Sequence, residues 1–231
     1  MFALPFLLLT MTLTPVQIAQ CIPACGKGQW SAHAISVPDD FRVPSPDGHV
    51  TITGNRDFWW LATQGKVASA RHEVLSWTEF LWAPDSHAFA VTESVGYTSG
   101  YHVRVFVNKS RDWTEVKGLT TRVGHDFERK HQCYYHSVNV AAVSWQQGSN
   151  ELILAAVEPE TGDCPHTCYF ETYLLDVNKK RIADRRAPSG LPPEWKAELG
   201  ENLAGDYECL QKSKRERSFV LSLQSRREST L

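Results

Sequence analysis

The chain has 231 residues, 42% of them hydrophobic and 22% charged, with a formal net charge of −2. The balance of 24 Lys and Arg against 26 Asp and Glu argues against bulk electrostatic binding of nucleic acid, and the ordinary composition excludes global disorder and collagen-like repeats. A mean hydropathy of −0.33 with one long apolar run excludes a multi-span membrane protein.

In residues 1–20 no side chain is charged, and Phe2 to Leu13 is apolar except for Thr10 and Thr12. That run is short for a membrane span, which needs about 20 residues, but it has the length of a signal-peptide core, and Pro15 ends it before a polar stretch. Residues 1–20 are therefore expected to be a signal peptide, and the mature protein to be exported, periplasmic or secreted, without a transmembrane span. Lipid attachment at a Cys needs small residues before it; Ala19-Gln20-Cys21 and Pro23-Ala24-Cys25 fit that poorly. A plain exported form is expected over an anchored one.

Residues 21–42 read as a lead-in, overlapping a stretch from Gln29 to Asp47 rich in Pro, Ser and Asp. From residue 43 to 190 the signals are strand and turn, and the aromatic content favours pleated surfaces. His49 to Thr53 ends at Gly54-Asn55, and Phe58 to Ala62 ends at Gln64-Gly65. Phe80-Leu81-Trp82 runs into the turn Pro84-Asp85-Ser86 and then Ala88 to Thr92. In His102 to Val107 the three valines share one face and His102, Arg104 and Phe106 the other, as a period of two requires. Asn108-Lys109-Ser110 turns into Trp113 to Val116 and also fits a glycosylation acceptor. The order then recurs: Trp145, a turn at Gly148-Ser149-Asn150, and the apolar run Leu152 to Val157, which suits a strand buried on both faces. A loop from Glu158 to His166, a strand from Phe170 to Val177, an Asn178-Lys179 turn and Arg181-Ile182-Ala183 complete it.

Trp82-Ala83-Pro84-Asp85-Ser86-His87-Ala88-Phe89-Ala90 resembles the W-S-P-D-G-K-x-I-A-F repeat of bacterial extracytoplasmic β-propellers, and Ser45-Pro46-Asp47-Gly48 is a second match. The resemblance covers roughly residues 43–187. It implies four-stranded antiparallel repeats in which the Pro-Asp turn joins two strands and the Trp packs between neighbouring sheets. Two clear repeats and a third weaker one fall short of the four or more blades of a closed ring. The expected fold is mostly β, a partial propeller or a sandwich of antiparallel sheets.

Residues 191–231 change character. Leu191-Pro192-Pro193 ends the β region, and Trp195, Leu199 and Leu203 have near-helical spacing within Glu194 to Leu203. A basic tail follows from Lys212 to Arg227, with Ser218 to Leu223 as a guarded edge strand.

Six cysteines, Cys21, Cys25, Cys133, Cys164, Cys168 and Cys209, read first as disulfides in an exported chain, with Cys133, Cys164, Cys168 and Cys209 as the main candidates. His131, Cys133, His136, Cys164, His166 and Cys168 are an alternative set of zinc or copper ligands, set against the oxidation of thiols in such a compartment. His72-Glu73-Val74-Leu75-Ser76 begins like a zinc-protease helix but lacks the second His, and Gly96 to Gly100 is not G-x-S-x-G. Asp126, Glu128, Glu158 and Glu160 lie near the cysteine loops and read as loop charge rather than acid/base groups. No catalytic residue and no cofactor is assigned. The expectation is a non-catalytic protein with a binding or structural role toward an unnamed protein or polymer, with a metal-binding protein and an enzyme of unrecognised class as rivals.

Overall fold

The computed structural model describes residues 25–95, 100–109, 112–132, 138–146, 148–158, 169–186, 191–209 and 211–212. Residues 1–20, expected to be a signal peptide, Cys133, Cys164 and Cys168 with their neighbours, and the residues beyond 212 lie outside them. The fold is mostly β, built as three antiparallel sheets.

The first sheet runs β3 (Phe41–Pro44), β4 (Val50–Gly54) and β5 (Phe58–Thr63); its fourth position is split between β6 (Lys66–Val67) and β7 (His72–Glu73), both paired to β5. The second has β8 (Trp77–Trp82), β9 (Ala88–Ser94), β10 (Tyr101–Lys109) and β11 (Asp112–Glu115) in sequence order. The third is β12 (Asn139–Gln146), β13 (Glu151–Val157), β14 (Phe170–Asp176) and β15 (Arg181–Arg186), also in order. Each is thus an up-and-down meander, and no sheet closes on itself among the described residues.

Two features depart from expectation. The lead-in is structured: β1 (Gly26–Lys27) and β2 (Ile35–Ser36) extend the second sheet past β8, and Trp30 is buried. A 13-residue helix, α1 (Leu119–His131), interrupts the strands. Leu119, Val123 and Phe127, spaced by four, are its buried stripe, and its last turn carries Arg129, Lys130 and His131, complementing the carbonyl end of the dipole.

The sheets stack face on face. Phe41, Val43, Ile52, Trp59 and Leu61 of the first meet Phe80, Phe89, Val91 and Phe106 of the second. The second sheet's other face, with Leu81, Ala88, Ala90, Val103, Val105 and Val107, packs on Val140, Ala142, Leu152, Leu154 and Ala156 of the third and on the α1 stripe. The third sheet's far face, Ala141, Val143, Ile153, Ala155, Val157 and Phe170, is covered by Trp30 and by Trp195, Leu199 and Leu203. The helix expected over 194–203 is broken into α2 (Pro193–Ala197) and a helical segment over 201–209, yet its three apolar residues all land in this cap.

The two sheet junctions carry the same pair of fastenings. Trp82 Nε1 donates to Val43 O of the first sheet at 3.4 Å, and Trp145 Nε1 donates to Leu81 O of the second at 3.0 Å. Beside them the Asp47 N–H donates to Ser86 Oγ at 3.0 Å, and the Ser149 N–H donates to Asp85 Oδ2 at 2.8 Å. Trp145 faces the second sheet because β12 bulges between Ala142 and Ser144. The extra residue, Val143, turns outward into the cap and reverses the alternation after it. In the first sheet the place before Ser45-Pro46-Asp47 is held by Pro44 rather than Trp, and its side chain has no donor.

Candidate functional site

The pairing registers sort the chain into two ends. The turns at 46–48, 84–86 and 148–150 share the fastened end, where Asp47 meets Ser86 and Asp85 meets Ser149. The opposite end gathers the β4–β5 turn, the end of β9 with the start of β10, and the ends of β12, β13 and β14, since Ser94 pairs with Tyr101, Asn139 with Val157, and Val157 with Phe170. The Tyr101 N–H donates to Asn139 Oδ1 at 3.1 Å, joining the second and third sheets there.

At this end, between the first and second sheets, lies the densest ionisable cluster. Glu93 on β9 is 3% exposed in its side chain, and its cross-strand partner on β10 is His102. Two residues on, Arg104 reaches Glu93 Oε2 with Nη1 at 3.7 Å and donates from Nη2 to Glu115 Oε2 on β11 at 2.9 Å and to His72 Nδ1 on β7 at 3.1 Å. Its guanidinium lies over the rings of Phe106 (5.0 Å) and Trp59 (5.9 Å), and His72 stacks on Trp59 at 4.2 Å. Burial pushes the Glu93 carboxyl up, against the charge of Arg104. Burial, then the positive charge of Arg104, holds His72 and His102 below the ordinary imidazole value. An imidazole that accepts from a guanidinium at Nδ1 is neutral, which agrees with that direction. Arg104 is held above its ordinary value because the contacts with Glu115 and Glu93 outweigh its desolvation. Glu93 Oε1 and Trp59 Nε1 are buried without a hydrogen-bond partner.

A second polar group sits where α1 meets the third sheet. Arg129 and Arg185 donate to the two oxygens of Asp126, Arg185 at 2.8 Å. Lys130 pairs with the buried Glu171, and His131 Nε2 stands 3.5 Å from the same carboxylate. Burial would raise the Glu171 carboxyl, but the contacts with His131 and Lys130 hold it below its ordinary value.

Of the metal-ligand set, His131 alone is described. It stacks on Tyr169 at 4.0 Å and packs tilted against Phe127 at 4.5 Å at the end of α1. Cys133, His136, Cys164, His166 and Cys168 lie outside the described residues, within which no group of three His, Cys, Asp or Glu is placed to hold a metal ion. The described cysteines, Cys25 and Cys209, are each disulfide-bonded. Asp126 is spent on arginines, and Glu158 accepts the Tyr169 N–H at 3.2 Å. His72-Glu73 is part of strand β7, so it cannot present a zinc-protease helix. No helix among the described residues is long and apolar enough to cross a membrane.

A further buried carboxylate, Glu79, went unread in the sequence. It accepts the backbone N–H groups of Gln29 and Trp30, and burial pushes it up to about 7. His102 and Arg104 had been placed on one face of β10 by alternation. Glu93, Glu115 and His72 join them only through strand pairing and sheet stacking, which no local pattern encodes.

No family model matches the sequence, and no curated protein matches it.

Proposed function

We propose that this is a non-catalytic binding or scaffolding protein that works outside the cytoplasm, an open stack of propeller-like sheets. The observation that supports it is that the central cation of its main ionisable cluster, Arg104, is engaged within the chain. Arg104 spends its donors on Glu115, Glu93 and His72 and its faces on Trp59 and Phe106. The cluster thereby ties β7 of the first sheet to β9, β10 and β11 of the second, and acts as a clamp.

Clamp and catalytic centre make opposite demands on stability. Catalytic groups are commonly held at a cost to the fold, so replacing them tends to stabilise a protein. A clamp member lost leaves buried partners unpaired and destabilises it. Urea denaturation of Arg104→Met and His72→Phe should therefore show both less stable than the parent. A gain in either would count against the binding reading and favour the enzyme. For export, intact mass of protein recovered outside the cytoplasm should show loss of about twenty residues; full-length protein confined to the cytoplasm would overturn that half.

A further inference from the structure

The third sheet ends in β15, and no described strand pairs with its outer side. Along that side runs a groove of about 580 Å³, walled by Asp126, Arg129 and Lys130 of α1 and by Ile182, Ala183, Asp184 and Arg185 of the strand. A strand edge without a partner among the described residues, facing a helix across a groove, is the setting in which an extended peptide adds a strand to a sheet.

We infer that this groove receives an extended, acidic segment of a partner protein, which pairs with β15 as a fifth strand. Charge supports the choice of segment. Arg129 is 79% exposed and Arg185 39%, and both are oriented by the one Asp126 carboxylate, which uses only part of each guanidinium. Lys179 and Arg181 on the same hairpin are exposed as well, both beside Asp176. The main chain supports the pairing. The Arg185 N–H donates to Asp184 Oδ1 at 2.8 Å, so a side-chain carboxylate of the chain itself occupies the place where a neighbouring strand's carbonyl would accept. Asp184 is steadied there by Arg186 Nε at 2.9 Å, and its carboxyl is held below its ordinary value by that bond. Charged edges also serve to discourage indiscriminate pairing. On this rim the bases Arg129, Lys130 and Arg185 outnumber the acids Asp126 and Asp184, which favours an acidic strand over a basic one. The inference rests on the binding reading above, but the stability test of the clamp is independent of it.

The test uses the full chain and a fluorescein-labelled octapeptide alternating Glu and Val, read by anisotropy. The Glu/Val peptide should bind, and the Lys/Val analogue should bind at least about tenfold more weakly. N-methylation of alternate residues, which removes main-chain donors but keeps every side chain, should weaken binding by a similar factor. Arg129→Ser with Arg185→Ser should weaken it further, with the fold checked by circular dichroism, and Asp184→Ala should strengthen it. Equal binding of the N-methylated peptide would overturn strand addition. Full displacement by inorganic polyphosphate, with the same dependence on the arginines and none on N-methylation, would reduce the groove to an electrostatic patch. Absence of binding at millimolar peptide would refute it outright.

Discussion

A Cβ placed on Gly148 would stand 2.6 Å from Asp85 Oδ2, and the residue holds φ +70°. Both facts concern the junction of the second and third sheets, because the same Asp85 oxygen accepts the Ser149 N–H. Gly65 offers an internal control: its φ is +77° but a Cβ there would meet nothing. Gly65→Ala should cost about 1 kcal/mol of unfolding free energy for the left-handed backbone alone. Gly148→Ala should cost clearly more in urea titrations, the difference reporting the lost approach of Asp85. Glu79 gives a second measurable effect. Its folded carboxyl stands at about 7 against an ordinary 4.5. A group raised on folding supports the fold fully below its unfolded value, and that support is lost as the pH climbs through the folded one. Glu79→Gln should therefore remove a decline in stability between about pH 4.5 and 7, seen by comparing denaturation midpoints of the two proteins across that window. His72 and His102 work in the opposite sense: held below the ordinary 6.5, they lose stability for the fold as pH drops beneath that value.

At the scale of elements, the two indole fastenings differ in grade. Trp145 is 7% exposed and bonds at 3.0 Å, whereas the Trp82 bond is 3.4 Å and its residue is half-buried. Trp145→Phe should cost roughly 1–3 kcal/mol by stranding a buried carbonyl, and Trp82→Phe less than that; equal losses in chemical denaturation would show that the hydrogen bonds do not set the order. Much of this was legible in the sequence. The alternation in β10 and the apolar run of β13 each state their burial locally, and the Trp and Pro-Asp pattern marks both junctions. The bulge that aims Trp145 was not legible, since an inserted Val among Val, Ala and Ser changes no local signal. Helix α1 was missed because it starts at Gly118 with no side-chain cap and shows one apolar residue per turn. Trp30 looked like loop because its partners, Trp195, Leu199 and Leu203, stand far along the chain. The ionisable cluster was half visible, as one face of one strand.

For the molecule as a whole, the stack is asymmetric. One end sheet lies under a cap; the other presents its outer face, where Phe58 (43%) and Val67 (64%) are exposed and Arg71 lies over Trp60 at 5.5 Å. Pro44 marks that side: the place that supplies an indole donor at both sheet junctions has no side-chain donor here. A chain shortened to end at residue 190 should uncover the apolar far face of the third sheet and aggregate, measurable by light scattering. The cap has a mechanical meaning too. The Gly200 N–H donates to Trp30 O at 3.0 Å and the Asn202 N–H to Gln29 O at 2.9 Å, so the first and last described segments are bound to each other over the same sheet. A force drawing these two segments apart would load those hydrogen bonds and the Glu79 anchor, beside the disulfides of Cys25 and Cys209, before any tension reached the junctions between sheets. The layered core would be shielded from tension for as long as the cap held.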